Sequence, residues 1–159
     1  MNDRQLMNII KDVVQQNVED PRFQYEGVER PFVHTDRPLS TAKYPRIQIT
    51  KDPTTEDIIS MGYDFWEHKE AVLNIYFWTT TDFKWTADDG SILKNEELAK
   101  EYNDKIWKAI KAQGKNLHDD YGITGFKLLL DDAPDPDTTM QTYNSLIKVR
   151  FWYFVKGCN

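Results

Sequence analysis

The densest set of oxygen-bearing side chains in the sequence is Asp131, Asp132, Asp135 and Asp137, interleaved with Pro134 and Pro136. Carboxylates this close could supply the oxygen ligands that calcium takes. An EF-hand loop also needs an internal glycine and a distal glutamate, and this segment has neither. It reads instead as a solvated acidic hairpin loop over residues 131–141. The three histidines, His34, His68 and His118, fall in different elements and form no closely spaced pair of the kind zinc requires. His118–Asp119–Asp120 reads as a polar loop. The single cysteine, Cys158, stands next to the end of the sequence. A Cys–His nucleophile needs a thiol fixed in a cleft, which a frayed chain end does not provide. No glycine-rich phosphate loop and no Gly–x–Ser–x–Gly elbow occurs. No catalytic, cofactor-binding or metal-binding residue is therefore expected, and the chain does not read as an enzyme.

A second constellation is basic and aromatic. Lys148, Arg150 and Lys156 alternate with Trp152 and Phe154 along one segment, a mixture that could stack bases beside a basic groove. Net charge counts against it. Twenty-six acidic residues outnumber twenty basic ones, for a net of −6, and no RNA-recognition consensus is present. The preferred reading is a sheet face that is partly exposed or meets a protein, with no specific nucleic-acid recognition.

These residues have to be positioned by regular elements. Leu6, Ile9, Ile10, Val13 and Val14 recur at helical spacing, and Pro21 forbids continuation far past Glu19. From Asp20 to Tyr44 the periodicity breaks. Prolines punctuate a stretch that still carries Phe23, Tyr25, Phe32 and Val33, so residues 20–44 read as a long irregular arm laid on a surface. Arg46–Thr50 alternates as a half-buried strand should, and a second strand is expected over Ile58–Trp66, interrupted by Gly62. Lys69–Thr79 is apolar on both faces, as in a central strand. A polar connection follows from Thr79 to Ile92. A helix over Asn95–Gln113 buries Leu98, Tyr102, Ile106, Ala109 and Ile110 and stops at Gly114. Ile123–Leu130 and Gln141–Lys156 complete the pattern as strands. The order of helix, arm, strands, helix and hairpin predicts one α+β domain spanning residues 1–159.

Composition agrees. At 159 residues with 40% hydrophobic side chains, the chain can bury a full core without disulfide or metal. No apolar run approaches the roughly 20 residues of a membrane helix. Met1–Lys11 is too polar for a secretory signal, so a soluble protein made in a reducing cytoplasm is expected. Five tryptophans, eight tyrosines and eight phenylalanines exceed what two helices can cover. The surplus would form an interface, where aromatics and arginine are enriched. The candidate interface residues are Phe23, Tyr25, Phe32, Val33, Trp78, Trp85, Arg150, Trp152 and Phe154.

The order of these segments resembles the tail-terminator (tail-completion) proteins of long-tailed phages and related viruses. An opening amphipathic helix leads to YPRIQIT at Tyr44–Thr50, AVLNIYFWTTT at Ala71–Thr81 and the helix at Asn95–Gln113. LLLDD at Leu128–Asp132 and YNSLIKVRFWYFVKG at Tyr143–Gly157 close the pattern. The resemblance implies a mixed, mostly antiparallel sheet flanked by two main helices. It also implies a structural virion protein at the tail–neck junction, assembled as a ring (typically a hexamer) that meets the tail tube protein and the head–neck connector, with no membrane. The 20–44 arm and the Asp82–Leu93 connection are longer than a minimal member needs. That leaves another neck or head-completion connector as the alternative, and a small ligand- or nucleic-acid-binding module as a reading from a different class.

Overall fold

The computed structural model of the chain describes residues 1–27, 30–35, 43–61, 66–137 and 141–156. Leu6, Ile10 and Val14 fall on one side of a helix because about 3.6 residues complete a turn. All three are buried on α1, Asp3–Asn17. Its start is fixed by reciprocal hydrogen bonds: Gln5 N–H donates to Asn2 Oδ1 (2.9 Å) and Asn2 N–H donates to Gln5 Oε1 (2.8 Å). These satisfy amides that have no partner within the helix. The chain continues through α2 (Phe23–Glu26), β1 (Val33–Thr35), β2 (Arg46–Met61), β3 (Trp66–Thr80), β4 (Lys84–Thr86) and β5 (Ile92–Lys94). Then come α3 (Asn95–Ala112), α4 (Gly114–Tyr121), β6 (Ile123–Asp137) and β7 (Thr142–Lys156).

Five strands form one sheet in the order β1-β2-β3-β7-β6, and β4 pairs with β5 in a small ribbon. Only β1 runs parallel to its neighbour in the large sheet; the other pairings are antiparallel. The domain is thus α+β with a mixed, mostly antiparallel sheet, as the sequence predicts. The two strands with the strongest patterns, β3 and β7, lie side by side at its centre.

Alternation sends Ile47 and Ile49 of β2, Ala71, Leu73, Ile75 and Phe77 of β3, and Ile147, Val149, Phe151 and Tyr153 of β7 to one face. There they join α1 and α3 in a single buried cluster. Phe77 stacks on Tyr102 of α3 at 4.6 Å between ring centroids, and Trp85 meets Tyr102 edge-on at 5.7 Å. Each fully buried side chain of this size contributes about 1.5–3 kcal/mol. Burial also pushes the Tyr102 phenol well above its usual range, and its hydroxyl donates to the Glu19 carbonyl at 3.0 Å.

Several boundaries differ from the sequence expectation. The described part of residues 20–44 is less irregular than an arm, since it holds α2 and β1; residues 28–29 and 36–42 of that stretch lie outside the described residues. Asp20 and Arg22 form a buried two-pronged ion pair (3.0 and 2.9 Å). Gln15 Oε1 accepts the N–H groups of both Phe32 and Val33 at 3.1 Å, fastening this stretch to α1. Of the expected strand at Ile58–Trp66, Ile58–Met61 is the end of β2 and Trp66 the start of β3; the interruption expected at Gly62 lies outside the described residues. The polar Thr79–Ile92 connection contains β4. The acidic segment is not a hairpin loop, because β6 pairs with β7 as far as Asp137 opposite Thr142. Helix α3 does stop just before Gly114, as expected, but a further helix follows at once. Gly114 opens α4, so His118–Asp119–Asp120 is helical.

Candidate protein interface

The same alternation that fills the core sends a second set of side chains to the opposite face. On β7 these are Leu146, Lys148, Arg150, Trp152 and Phe154; on β3, Glu70, Val72, Asn74, Tyr76 and Trp78; on β2, Arg46, Gln48 and Thr50. Register aligns them in rows. Glu70 lies opposite Trp152, Val72 opposite Arg150, Asn74 opposite Lys148 and Tyr76 opposite Leu146. None of Val72, Tyr76, Trp78, Leu146, Trp152 or Phe154 belongs to the helix-covered cluster. Among the described residues, the helical side chains in that cluster pack on one face of the sheet, and this is the other.

Its electrostatics are internally closed. Arg150 Nε lies 2.9 Å from Glu70 Oε1, and Trp152 Nε1 donates to Glu70 Oε2 at 3.0 Å. One carboxylate therefore fixes both a guanidinium and an indole. The indole lies over Gly125 of β6, where a methyl group would come within 3.4 Å of Trp152 Cε3. Lys148 Nζ pairs with Asp52 Oδ2 at 3.1 Å. The Arg46 guanidinium sits 4.3 Å over the Tyr44 ring, and the Tyr76 and Trp78 rings lie 6.2 Å apart. Phe154, 43% exposed, packs against His68 at 5.0 Å. Buried polar atoms on this face without a hydrogen-bond partner among the described residues include Asn74 Oδ1, Trp78 Nε1 and Arg150 Nε, the last despite its ion pair with Glu70. Leaving such a group unpaired costs about 1–3 kcal/mol.

Of the candidate residues, Trp78, Arg150, Trp152 and Phe154 come together on this face. Phe23 and Tyr25 are exposed on α2, in a separate patch where Tyr25 meets Phe83 edge-on at 5.6 Å and its hydroxyl donates to the Lys84 carbonyl. Phe32, Val33 and Trp85 are not interface residues of the folded chain; they are core. Val33 pairs with Ile47 in the sheet, and Trp85 is held between Tyr102 and the Lys105 ammonium, 4.7 Å over its ring. Tyr76 and Leu146 join the face by the alternation already visible in the sequence. Glu70 and Asp52 join it through pairings across strands, which no local pattern reveals.

The candidate chemical groups are dispersed. His34, His68 and His118 sit on β1, β3 and α4, and no group of three potential metal ligands occurs among the described residues. Burial, then the nearby charges of Arg46, Arg22 and Lys11, lower the pKa of His34. Adjacent carboxylates of the acidic segment part company because the strand alternates. Asp131 lies opposite Ile147 on the helix side and accepts from Asn103 Nδ2 at 3.0 Å, while Asp132 lies opposite Leu146 on the other. Asn103 Oδ1 accepts in turn from Ser145 Oγ at 2.8 Å. The side chains of Asp135 and Asp137, together with Cys158, lie outside the described residues. No helix among the described residues is long and apolar enough to cross a membrane.

These features define an α+β domain with helices on one face of a mixed five-stranded sheet and a mixed aromatic, ion-paired surface on the other. Set against known proteins, the chain matches no family model and no curated sequence.

Proposed function

We propose that this protein is a structural virion component that ends a tail tube and joins it to the head–neck connector as a homo-oligomeric ring. The observation that carries the reading is the outer sheet face. Among the described residues no helix covers its Tyr76, Trp78, Leu146, Trp152 and Phe154, and it holds Arg150 and Lys148 against its own carboxylates. A surface of this kind suits protein contact, where a central aromatic cluster dominates the energetics. It suits nucleic acid poorly, because Arg150 and Lys148 already have partners and phosphate binding relies on free cations. The segments that carry the resemblance to tail terminators support the same reading, since they occupy β2, β3, α3, β6 and β7, the framework of the domain.

The test is native mass spectrometry and electron microscopy of the full chain, alone and mixed with tail tubes and with connector rings. Rings that cap tubes are expected. Rings that bind connectors but never tubes would move the protein to the alternative neck role. A chain that stays free of rings with both partners present would refute the proposal, and tight salt-dependent DNA binding would point to the binding-module class instead.

A further inference from the structure

The two edges of the sheet are protected unequally. Strand β1 is three residues long, and Gln15 occupies the amides of Phe32 and Val33 beside it. Strand β6 is fifteen residues long and, among the described residues, has a strand neighbour on one side only. Midway along it Leu129 and Leu130 stand 39% and 37% exposed. An uncovered apolar edge is a template for another strand.

We propose that β6 pairs antiparallel with β6 of a second copy of this chain, about a two-fold axis passing between Leu129 and Leu130. The sequence of the edge is complementary to itself in that register. Lys127 of each copy comes opposite Asp132 of the other, and the leucines meet at the centre. The faces agree as well. Lys127 lies opposite Arg150 and Asp132 opposite Leu146, both on the outer face, whereas Leu128 and Asp131 lie opposite Val149 and Ile147 on the inner one. The register shift between Leu128 and Leu130 is what lets one two-fold operation match both halves. Lys127 and Asp132 are exposed and form no ion pair among the described residues, so each is available to a copy.

Pro134 and Pro136, which lack N–H groups, end the ladder, as prolines at a strand edge do. The contact is therefore short. It falls below the roughly 800 Å² per partner of a standard interface, and the dimer is weak and reversible. A two-fold contact uses the same patch on both copies and cannot propagate. The inference does not rest on the ring reading, whose contacts lie on the outer face.

Sedimentation velocity of the full chain across a concentration series should show a monomer–dimer equilibrium that weakens with salt. Lys127→Asp and Asp132→Lys should each raise the dissociation constant about tenfold by placing like charges opposite one another across the strands. The double variant Lys127→Asp with Asp132→Lys should restore it. Unchanged thermal melts of all three variants would exclude misfolding as the cause. A parent chain that is monomeric at every concentration, single variants that dimerise like the parent, or a double variant that fails to recover would each overturn the proposal, as would β6 binding only a foreign strand. Rings that form normally in Lys127→Asp while the dimer is lost would support this edge contact and leave the ring reading intact.

Discussion

Replacing Phe151 by alanine tests the assignment of the two sheet faces. Phe151 is fully buried on β7, opposite Ala71 on β3 and Phe126 on β6, with its ring 6.0 Å from that of Phe126. The small Ala71 beside it leaves space that the ring fills, and a methyl group in its place leaves a cavity the rigid centre of the sheet cannot close. Phenylalanine-to-alanine changes at such sites cost about 3–5 kcal/mol, a large part of the roughly 5–15 kcal/mol that holds a domain together. At about 2–4 °C per kcal/mol for a chain of this size, the melting temperature should fall by about 6–20 °C. Phe154, three residues along the same strand, points the other way and is 43% exposed; Phe154→Ala should cost no more than about 1 kcal/mol. Urea unfolding followed by tryptophan fluorescence, with m-values compared, measures both. Equal losses, or a larger loss from Phe154→Ala, would mean that the faces are reversed and that the outer surface is core.

Two further variants probe the first third of the chain. Asp20→Ala leaves the buried Arg22 guanidinium without its carboxylate and should cost about 3–5 kcal/mol in urea unfolding, with much of that recovered when Arg22→Met is added; a loss within error would mean the pair is solvated. His34 has a lowered pKa in the folded chain, so the unfolded chain takes up the proton first as pH falls. Stability should be level above about pH 6.5, decline as pH drops from there toward the folded pKa, and then level off for this group. His34→Gln should flatten that decline in pH-dependent melting curves, and an unchanged profile would assign it to other groups.

The parts of the fold that the sequence made legible are those with long, regular periodicity. Helices α1 and α3 carry full apolar stripes, β3 is apolar on both faces from Ala71 to Trp78, and β7 alternates along most of its length. What escaped was short or locally contradictory. Trp85 sits on a three-residue strand among polar neighbours, and only its packing on Tyr102 marks it as core. Phe32 and Val33 are core because Gln15, far back in the sequence, fixes their amides. Gly114 carries a strong stop signal, yet the chain bends there only briefly: Gln113 caps one helix and begins the next at φ −90°, ψ 6°. Asp131–Asp137 contains two prolines and four carboxylates, which read as a loop. An edge strand tolerates both, because one side of it makes no ladder. The outer face was half legible. Alternation gave Trp152 and Phe154, whereas the Glu70 carboxylate that orients Trp152 lies 82 residues away in sequence.

The unbroken pairing of β3 with β7 has a mechanical consequence. All fifteen residues of β3 are matched to β7, a seam about 50 Å long. Strand β3 hands on to β4, and β6 leads into β7, at the end of the seam where Thr80 pairs with Thr142; β3 begins, following β2, at the other, where Trp66 pairs with Lys156. Tension along the strands would load the rungs of this ladder together in shear, rather than peeling them one by one. Tension across the strands would open them in succession. The domain is therefore stiff along one axis and yielding across it, and a force is best borne when it arrives along the strands.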